Sequence, residues 1–264
     1  MERLEDRITF DVDGHVALVG VDRPAKRNAF DLATLRGLAA AYARLDASPD
    51  LWAGVVFSTG DHFSAGLDLA EVGPAVAERG PAALSGELDV DPWGVWNRPC
   101  SKPIVLALNG ISYTLSIELA LASDIVVAAD DVRLRQLEIG RGILPFGGAT
   151  FRAPRQLGWG NAMRWVLTGE EFGAEEALRI GLVQEVVPAG AHVKRATEIA
   201  QVIAAQAPLG VQGTLANART GRDHGEAAAS AQLNAMLPAI LASADATEGL
   251  MSFIERREAR FTGS

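Results

Sequence analysis

"NGISYTLSIELALASD", residues 109–124, decides how the chain reads. Before it runs "KPIVLAL" (102–108) and after it "DIVVAAD" (124–130), both apolar and rich in aliphatic side chains. An apolar run of this length, stopped by Asn-Gly, reads as a buried strand, and the longer apolar stretch beyond Thr114 reads as a helix. The local order is therefore strand, turn, helix, strand. Inside that apolar helix stands one carboxylate, Glu118, in the first turns. The positive end of the helix dipole favours such a charge, so Glu118 is either an ordinary helix-start residue or a group placed for use.

The same grammar occurs earlier. "RITFDVDG" (7–14) and "HVALVGVDRP" (15–24) read as a hairpin turning at Asp13-Gly14. "DLATLRGLAAAYARLDASP" (31–49) repeats Leu and Ala at helical spacing, with Asp31 as its cap and Pro49 as its stop. "LWAGVVFSTG" (51–60) is another buried strand. Residues 71–98 lose periodicity, gather Gly and Pro with Trp93 and Trp96, and read as a loop or partly helical excursion. From "LGWGNAMRWVLTG" (157–169) onward the pattern is mostly helical, through "AEEALRIG", "HVKRATEIAQVIAAQAP", "AAASAQLNAMLPAILAS" and "DATEGLMSFIERREARF". The expected organisation is a mixed strand-and-helix core over 1–200 and a helical part over 201–264 that docks elsewhere, such as on a neighbouring subunit.

Composition limits the function classes. A chain of 264 residues can bury a sizeable core, and a net charge of -9 argues against nucleic-acid binding through overall positive charge. No run approaches the roughly 18 apolar residues of a membrane span, and "MERLEDRITF" lacks the apolar region of a targeting peptide. A cytoplasmic protein is expected. Cys100 stands alone, so no internal disulfide is possible, and His15, His62, His192 and His224 are too scattered to suggest a metal cluster.

Two further stretches can carry chemistry. In "HFSAGLDLAEV" (62–72), Gly66 sits where a strand region passes into a helix. The first amides of a helix are unpaired donors, so the stretch is either a tight turn or half of an anion-stabilising site. With the junction at 109–115, two such sets of donors can converge on one oxyanion. In "DDVRLRQLEIGRGILPFGGAT" (130–150), Glu138 is the only acidic residue between Val132 and Trp165. It is either an arginine-paired structural group or a second acid/base group beside a glycine-rich turn.

Taken together these stretches resemble the crotonase (enoyl-CoA hydratase/isomerase) family over nearly the whole chain. The resemblance is carried by "DRPAKRNAF", "FSAGLDL", "KPIVLALNGISYTLSIELALASDIVVAAD", "LEIGRGILPFGGAT", "LTGEEFGAEEALRIGLVQEVVP" and "EGLMSFIERREARF", in family order. It implies an α/β fold, a crotonase-like spiral of strand-strand-helix turns with a helical C-terminal oligomerisation part, assembled as a homotrimer or a dimer of trimers. It also implies an acyl-CoA thioester substrate with no separate cofactor, CoA being part of the substrate, and no nucleic-acid or membrane partner.

Residue by residue, the resemblance assigns the backbone amides of Ala65 and Leu115 to the oxyanion hole and Glu118 and Glu138 to catalysis. Glu138 chiefly handles the Cα proton and Glu118 chiefly the water. Lys26 and Arg27, with Ala65, Gly66, Leu67 and Asp68, are the implied CoA and substrate contacts. One departure stands out: where the family's hydratases carry a run of glycines, this chain has "YTLSIE", so Leu115 takes the donor position with Thr114 and Ser116 beside it. The implied activity is hydration of a 2-enoyl-CoA. The alternatives are an isomerase or another acyl-CoA enzyme of the family, or a non-catalytic acyl-CoA binding protein.

Overall fold

The computed structural model describes residues 2–80, 82–85 and 89–264. Its main sheet has seven strands: β1 (Glu2–Leu4), β2 (Ile8–Asp13), β3 (Val16–Val21), β4 (Ala53–Ser58), β5 (Ile104–Leu108), β7 (Ile125–Ala129) and β10 (Glu185–Val187), in that spatial order. The first three are antiparallel and the rest are added in parallel. The hairpin expected at Asp13-Gly14 is present, with Asp13 paired to Val16. A second sheet places β8 (Arg133–Arg135) between β6 (Ile111–Tyr113) and β9 (Glu171–Gly173). Each of these strands has three residues, too short for an alternating pattern to be visible in sequence.

The helices are α1 (Leu32–Ala47), α2 (Leu69–Arg79), α3 (Ala82–Ser85), α4 (Leu115–Ala122), α5 (Ala149–Leu157), α6 (Trp159–Thr168), α7 (Ala174–Arg179), α8 (His192–Ala204), α9 (Pro208–His224), α10 (Glu226–Leu241) and α11 (Ala244–Glu255). The excursion at 71–98 is thus partly helical, and residues 81 and 86–88 lie outside the described residues. The periodic reading missed α9. Gly210, Gly213 and Gly221 interrupt its apolar pattern, and only its packing against α10 restores the helix.

Strand residues alternate between two cores, as period-two geometry requires. Ile104, Leu106 and Leu108 of β5 belong to the large core with α1 and α4, whereas Val105 and Ala107 join Ala196, Ala200 and Ala204 on the other face. The alanine stripe lets α8 lie close against the sheet. This helix continues to Ala204, so the sheet-packed region extends past residue 200 and the tail of paired helices begins with α9.

Asp31 links the start of α1 to the first loops. One of its oxygens accepts from the Thr34 amide at 2.7 Å, while the other meets Arg7 at 3.0 Å and Arg23 at 3.1 Å. Its side chain is buried, and these bonds outweigh the cost of burial to hold its carboxyl below the usual range. Replacing it separates the two roles, because asparagine still caps a helix but carries no charge. Asp31→Ala is expected to cost about 2–4 kcal/mol by chemical denaturation at pH 7, and Asp31→Asn clearly less.

Candidate active site

Two strand-to-helix junctions lie side by side. Ser64 pairs in parallel with Ser112: its amide donates to the Ile111 carbonyl at 3.0 Å, and the Tyr113 amide donates to the Ser64 carbonyl at 3.0 Å. Carried forward with the same offset, Gly66 falls beside Thr114 and Leu67 beside Leu115. The contact at Gly66 fits this register, because a Cβ placed there would stand 2.0 Å from Thr114 Oγ1. Gly66 has φ +91°, so both its space and its backbone demand glycine.

Hydrogen bonding decides which amides remain available. The Ala65 amide donates to the Arg27 carbonyl at 3.0 Å, so it is not free to serve as the first oxyanion donor. This corrects the expectation for Ala65. The Gly66 amide is taken by Ser64 Oγ at 3.1 Å and that of Asp68 by the Phe30 carbonyl at 2.9 Å. Among the described residues no acceptor meets the Leu67 amide. Across the pair, the Thr114 amide donates to Arg135, and Leu115, the first residue of α4, keeps its amide without an acceptor. Leu67 and Leu115, which the shared register places side by side, are therefore among the amides left without an acceptor in the described residues.

The "YTLSIE" departure is accommodated at a cost. Thr114 adopts φ +52° and ψ −113°, a conformation rare for any L residue and more so for a β-branched one. The Leu115 side chain, only 4% exposed, packs into the large core. The Ser116 hydroxyl is buried and donates to the Ser64 carbonyl, leaving the Thr114 hydroxyl as the one without a partner among the described residues.

Glu118 lies one turn into α4 and is 1% exposed. Its Oε1 accepts from the Ala149 amide at 3.0 Å, at the start of α5, while Oε2 has no hydrogen-bond partner among the described residues. Burial pushes its pKa up to about 7, against the opposing effect of the backbone amides of Ala149, Gly147 and Gly148. Glu138 opens a short 3-10 turn, Glu138–Arg141, and is 7% exposed. Its Oε1 accepts from Gln136 Nε2 at 2.9 Å, and its Oε2 is likewise unpartnered. Burial, and then the charge of Glu118, push its pKa up to about 7. No arginine pairs with Glu138 among the described residues. The structure therefore brings Glu118 and Glu138 into one electrostatic neighbourhood.

The positions proposed for CoA differ in their availability. Lys26 and Arg27 are exposed and make no ion pair among the described residues, whereas Asp68 is held by Arg23 at 2.9 Å. Sequence reasoning missed Gln136, whose place two residues before Glu138 gave no signal of its own. It also missed the amide cradle of Gly147, Gly148 and Ala149, visible only as a glycine-rich turn. Trp93 is buried and donates its indole N–H to the Leu115 carbonyl at 3.0 Å, supporting the first turn of α4 from behind. Trp96 is 40% exposed.

A Cβ on Gly147 would lie 2.8 Å from Glu118 Oε2 and 2.7 Å from Leu115 Cδ2. Both are flexible side-chain ends that yield by moving. Gly147→Ala is thus expected to fold but to displace the carboxylate, lowering turnover by about a hundredfold in steady-state assays. Thr114→Gly relieves the strained backbone and is expected to raise the melting temperature, offset in part by the entropy of glycine.

Comparison with known proteins places the chain in a family. The sequence profile of the enoyl-CoA hydratase/isomerase family matches residues 11–264. The chain is similar to a solved structure from Mycobacterium abscessus described as "a probable enoyl-CoA hydratase/isomerase", with 48% identity and a TM-score of 0.93 over 98% of this chain and 100% of that one. It is 31% identical to the 2,3-dehydroadipyl-CoA hydratase of Escherichia coli strain K12, over 94% of this chain and 95% of the relative. It is also 31% identical to the (E)-benzylidenesuccinyl-CoA hydratase of Thauera aromatica, over 97% and 99%. With its profile, its spiral of strands and helices, and its paired junctions in agreement, the chain belongs to the enoyl-CoA hydratase/isomerase, or crotonase, family.

Proposed function

We propose that this protein adds water across the 2,3 double bond of an enoyl-CoA thioester. The observation that carries the proposal is the pair of buried glutamates, each with one carboxylate oxygen held by a donor and the other uncommitted. Hydration needs a base to take a proton from water as its oxygen bonds to Cβ, and an acid to protonate Cα. Glu118 is assigned chiefly to the water and Glu138 chiefly to the Cα proton. As the electron pair of the double bond moves toward the thioester, negative charge grows on its oxygen. The free amides of Leu67 and Leu115 are the donors proposed for that oxygen, and loss of one such donor costs about 3 kcal/mol of barrier.

The electrostatics support this division of labour. Two neighbouring carboxyls, both raised toward neutrality, hold one proton between them near pH 7, which gives an acid and a base at once. Lys26 and Arg27, exposed and without carboxylate partners among the described residues, are the residues proposed to meet CoA phosphates. The exposed apolar side chains of Leu241, Phe253 and Ile254 support a trimeric or hexameric assembly through α10 and α11.

Loss of the conjugated-thioester absorbance across short, long and aryl 2-enoyl-CoAs tests the activity directly. The expected result is turnover by the native protein, with a pH optimum near neutrality and a decline on both sides. Glu118→Gln and Glu138→Gln should each lower kcat by about a hundredfold or more. Turnover on none of the panel would sink the hydratase proposal, and loss with Glu118→Gln alone would favour an isomerase.

Stability supplies an independent check. Glu118 holds its proton more tightly when folded, so its ionisation destabilises the fold progressively as pH rises from about 4.5 through about 7. Glutamine cannot ionise. Glu118→Gln is therefore expected to gain about 1–3 kcal/mol over the native protein at pH 8 and little at pH 5, read by denaturant titration.

A further inference from the structure

Behind Glu118, between α5, α9 and residues 92–99, lies a cavity of about 230 Å³. It shares two supports with the candidate active site. Trp93 lines it while bonding the Leu115 carbonyl, and Arg152 lines it while bonding the Gly147 carbonyl at 3.2 Å, in the turn that holds Glu118. Four guanidinium groups face this space: Arg152, Arg155, Arg219 and Arg222.

Their direct ion-pair partners are fewer than the cations. Asp223 is shared by Arg155 at 3.3 Å and Arg222 at 2.8 Å, while Asp124 takes Arg219 at 3.0 Å. Two carboxylates thus make direct ion pairs with three of the four cations, and Asp91 and Glu118 act on Arg152 only at longer range. Arg152 has no carboxylate partner among the described residues; its guanidinium donates only to the carbonyls of Gly147 and, at 3.1 Å, Gly94. Burial, and next the charge of Arg222, lower its pKa, against the more distant charges of Asp91, Glu118 and Asp223, so a buried cation stands here with no ion-pair partner among the described residues. The rings of Trp93 and Phe151 supply apolar wall beside these charges.

Such a space suits a chain with an apolar body and an anionic end. We infer that the cavity is a subsite for the far end of the acyl chain and that it selects CoA thioesters whose chain ends in a carboxylate. The inference rests on the proposed acyl-CoA site, to whose backbone two lining residues of the cavity, Trp93 and Arg152, are bonded. A methyl end would desolvate arginines without compensating them, whereas a carboxylate supplies the missing acceptor.

Saturated thioesters cannot be hydrated, so binding can be measured apart from turnover. Calorimetric titration of the full chain compares hexanoyl-CoA with adipyl-CoA and octanoyl-CoA with suberyl-CoA. The expected result is about tenfold tighter binding of the carboxylate-ended member in at least one pair, the worth of one charge-assisted hydrogen bond. Arg155→Gln and Arg222→Gln, which leave Arg152 and Glu118 in place, should each reduce that preference severalfold, by weakening binding of the carboxylate-ended member and not of the methyl-ended one. Their melting curves check that they remain folded.

Equal affinity within both pairs overturns the inference. So does tight binding of free adipate or inorganic phosphate that depends on Arg222 when the thioesters show no preference, since the cavity would then be a separate anion site. A preference that persists although no 2-enoyl-CoA is hydrated sinks the hydratase proposal alone. Failure of every thioester to bind sinks both.

Discussion

The parallel pairing of Ser64 with Ser112 is the constraint on which the rest of the site depends. It joins two chain segments that leave neighbouring strands of the main sheet, and it holds them in one register as each turns into a helix. A strand-to-helix junction leaves amides without acceptors because the helix has no earlier turn to supply carbonyls. One junction provides a donor; two in register provide a pair aimed from adjoining backbones. Gly66 makes the approach possible, since any side chain there collides with Thr114.

Around that pairing the fold maintains two carboxyls under desolvation. Glu118 is surrounded by the core of α4 and held by the amide at the start of α5, while Glu138 is held by the buried amide of Gln136. Neither makes an ion pair with an arginine among the described residues, although the charge of Arg152 acts on Glu118 at longer range. The result is a pair of carboxyls whose pKa values are raised toward neutrality, which is unfavourable for stability at alkaline pH. The glycine at 147 belongs to the same arrangement, because a methyl group there would press on the carboxylate itself.

The "YTLS" stretch buries a leucine side chain at the start of α4 and still leaves its amide without an acceptor among the described residues. Leu115 turns its side chain into the core and keeps its amide free, and Ser116 spends its hydroxyl on the Ser64 carbonyl. The strain falls on Thr114, held at positive φ between its bond to Arg135 and the first turn of α4. Such a conformation persists only where the surroundings over-determine it. Trp93 contributes to that support from the opposite side by bonding the carbonyl of Leu115, so a residue of the irregular excursion helps hold the start of α4.

Sequence by itself determined the elements whose pattern is long enough to repeat: the hairpin at Asp13-Gly14, α1 with its Asp31 cap, the buried strands β4, β5 and β7, and the helix bearing Glu118. It also marked the two junctions and both glutamates. The three-residue strands of the second sheet and the glycine-broken α9 were not legible, because their stability comes from partners distant in the chain. The identity of the first free amide was decided only in three dimensions: Ala65 and Leu67 look equally available in "SAGLD", until Arg27 brings its carbonyl to one and leaves the other empty. The same holds for the amide cradle under Glu118 and for the arginines gathered behind it. Periodicity and capping are local properties of the chain, whereas desolvation, charge compensation and the occupation of a hydrogen-bond donor depend on what the fold carries to that point in space.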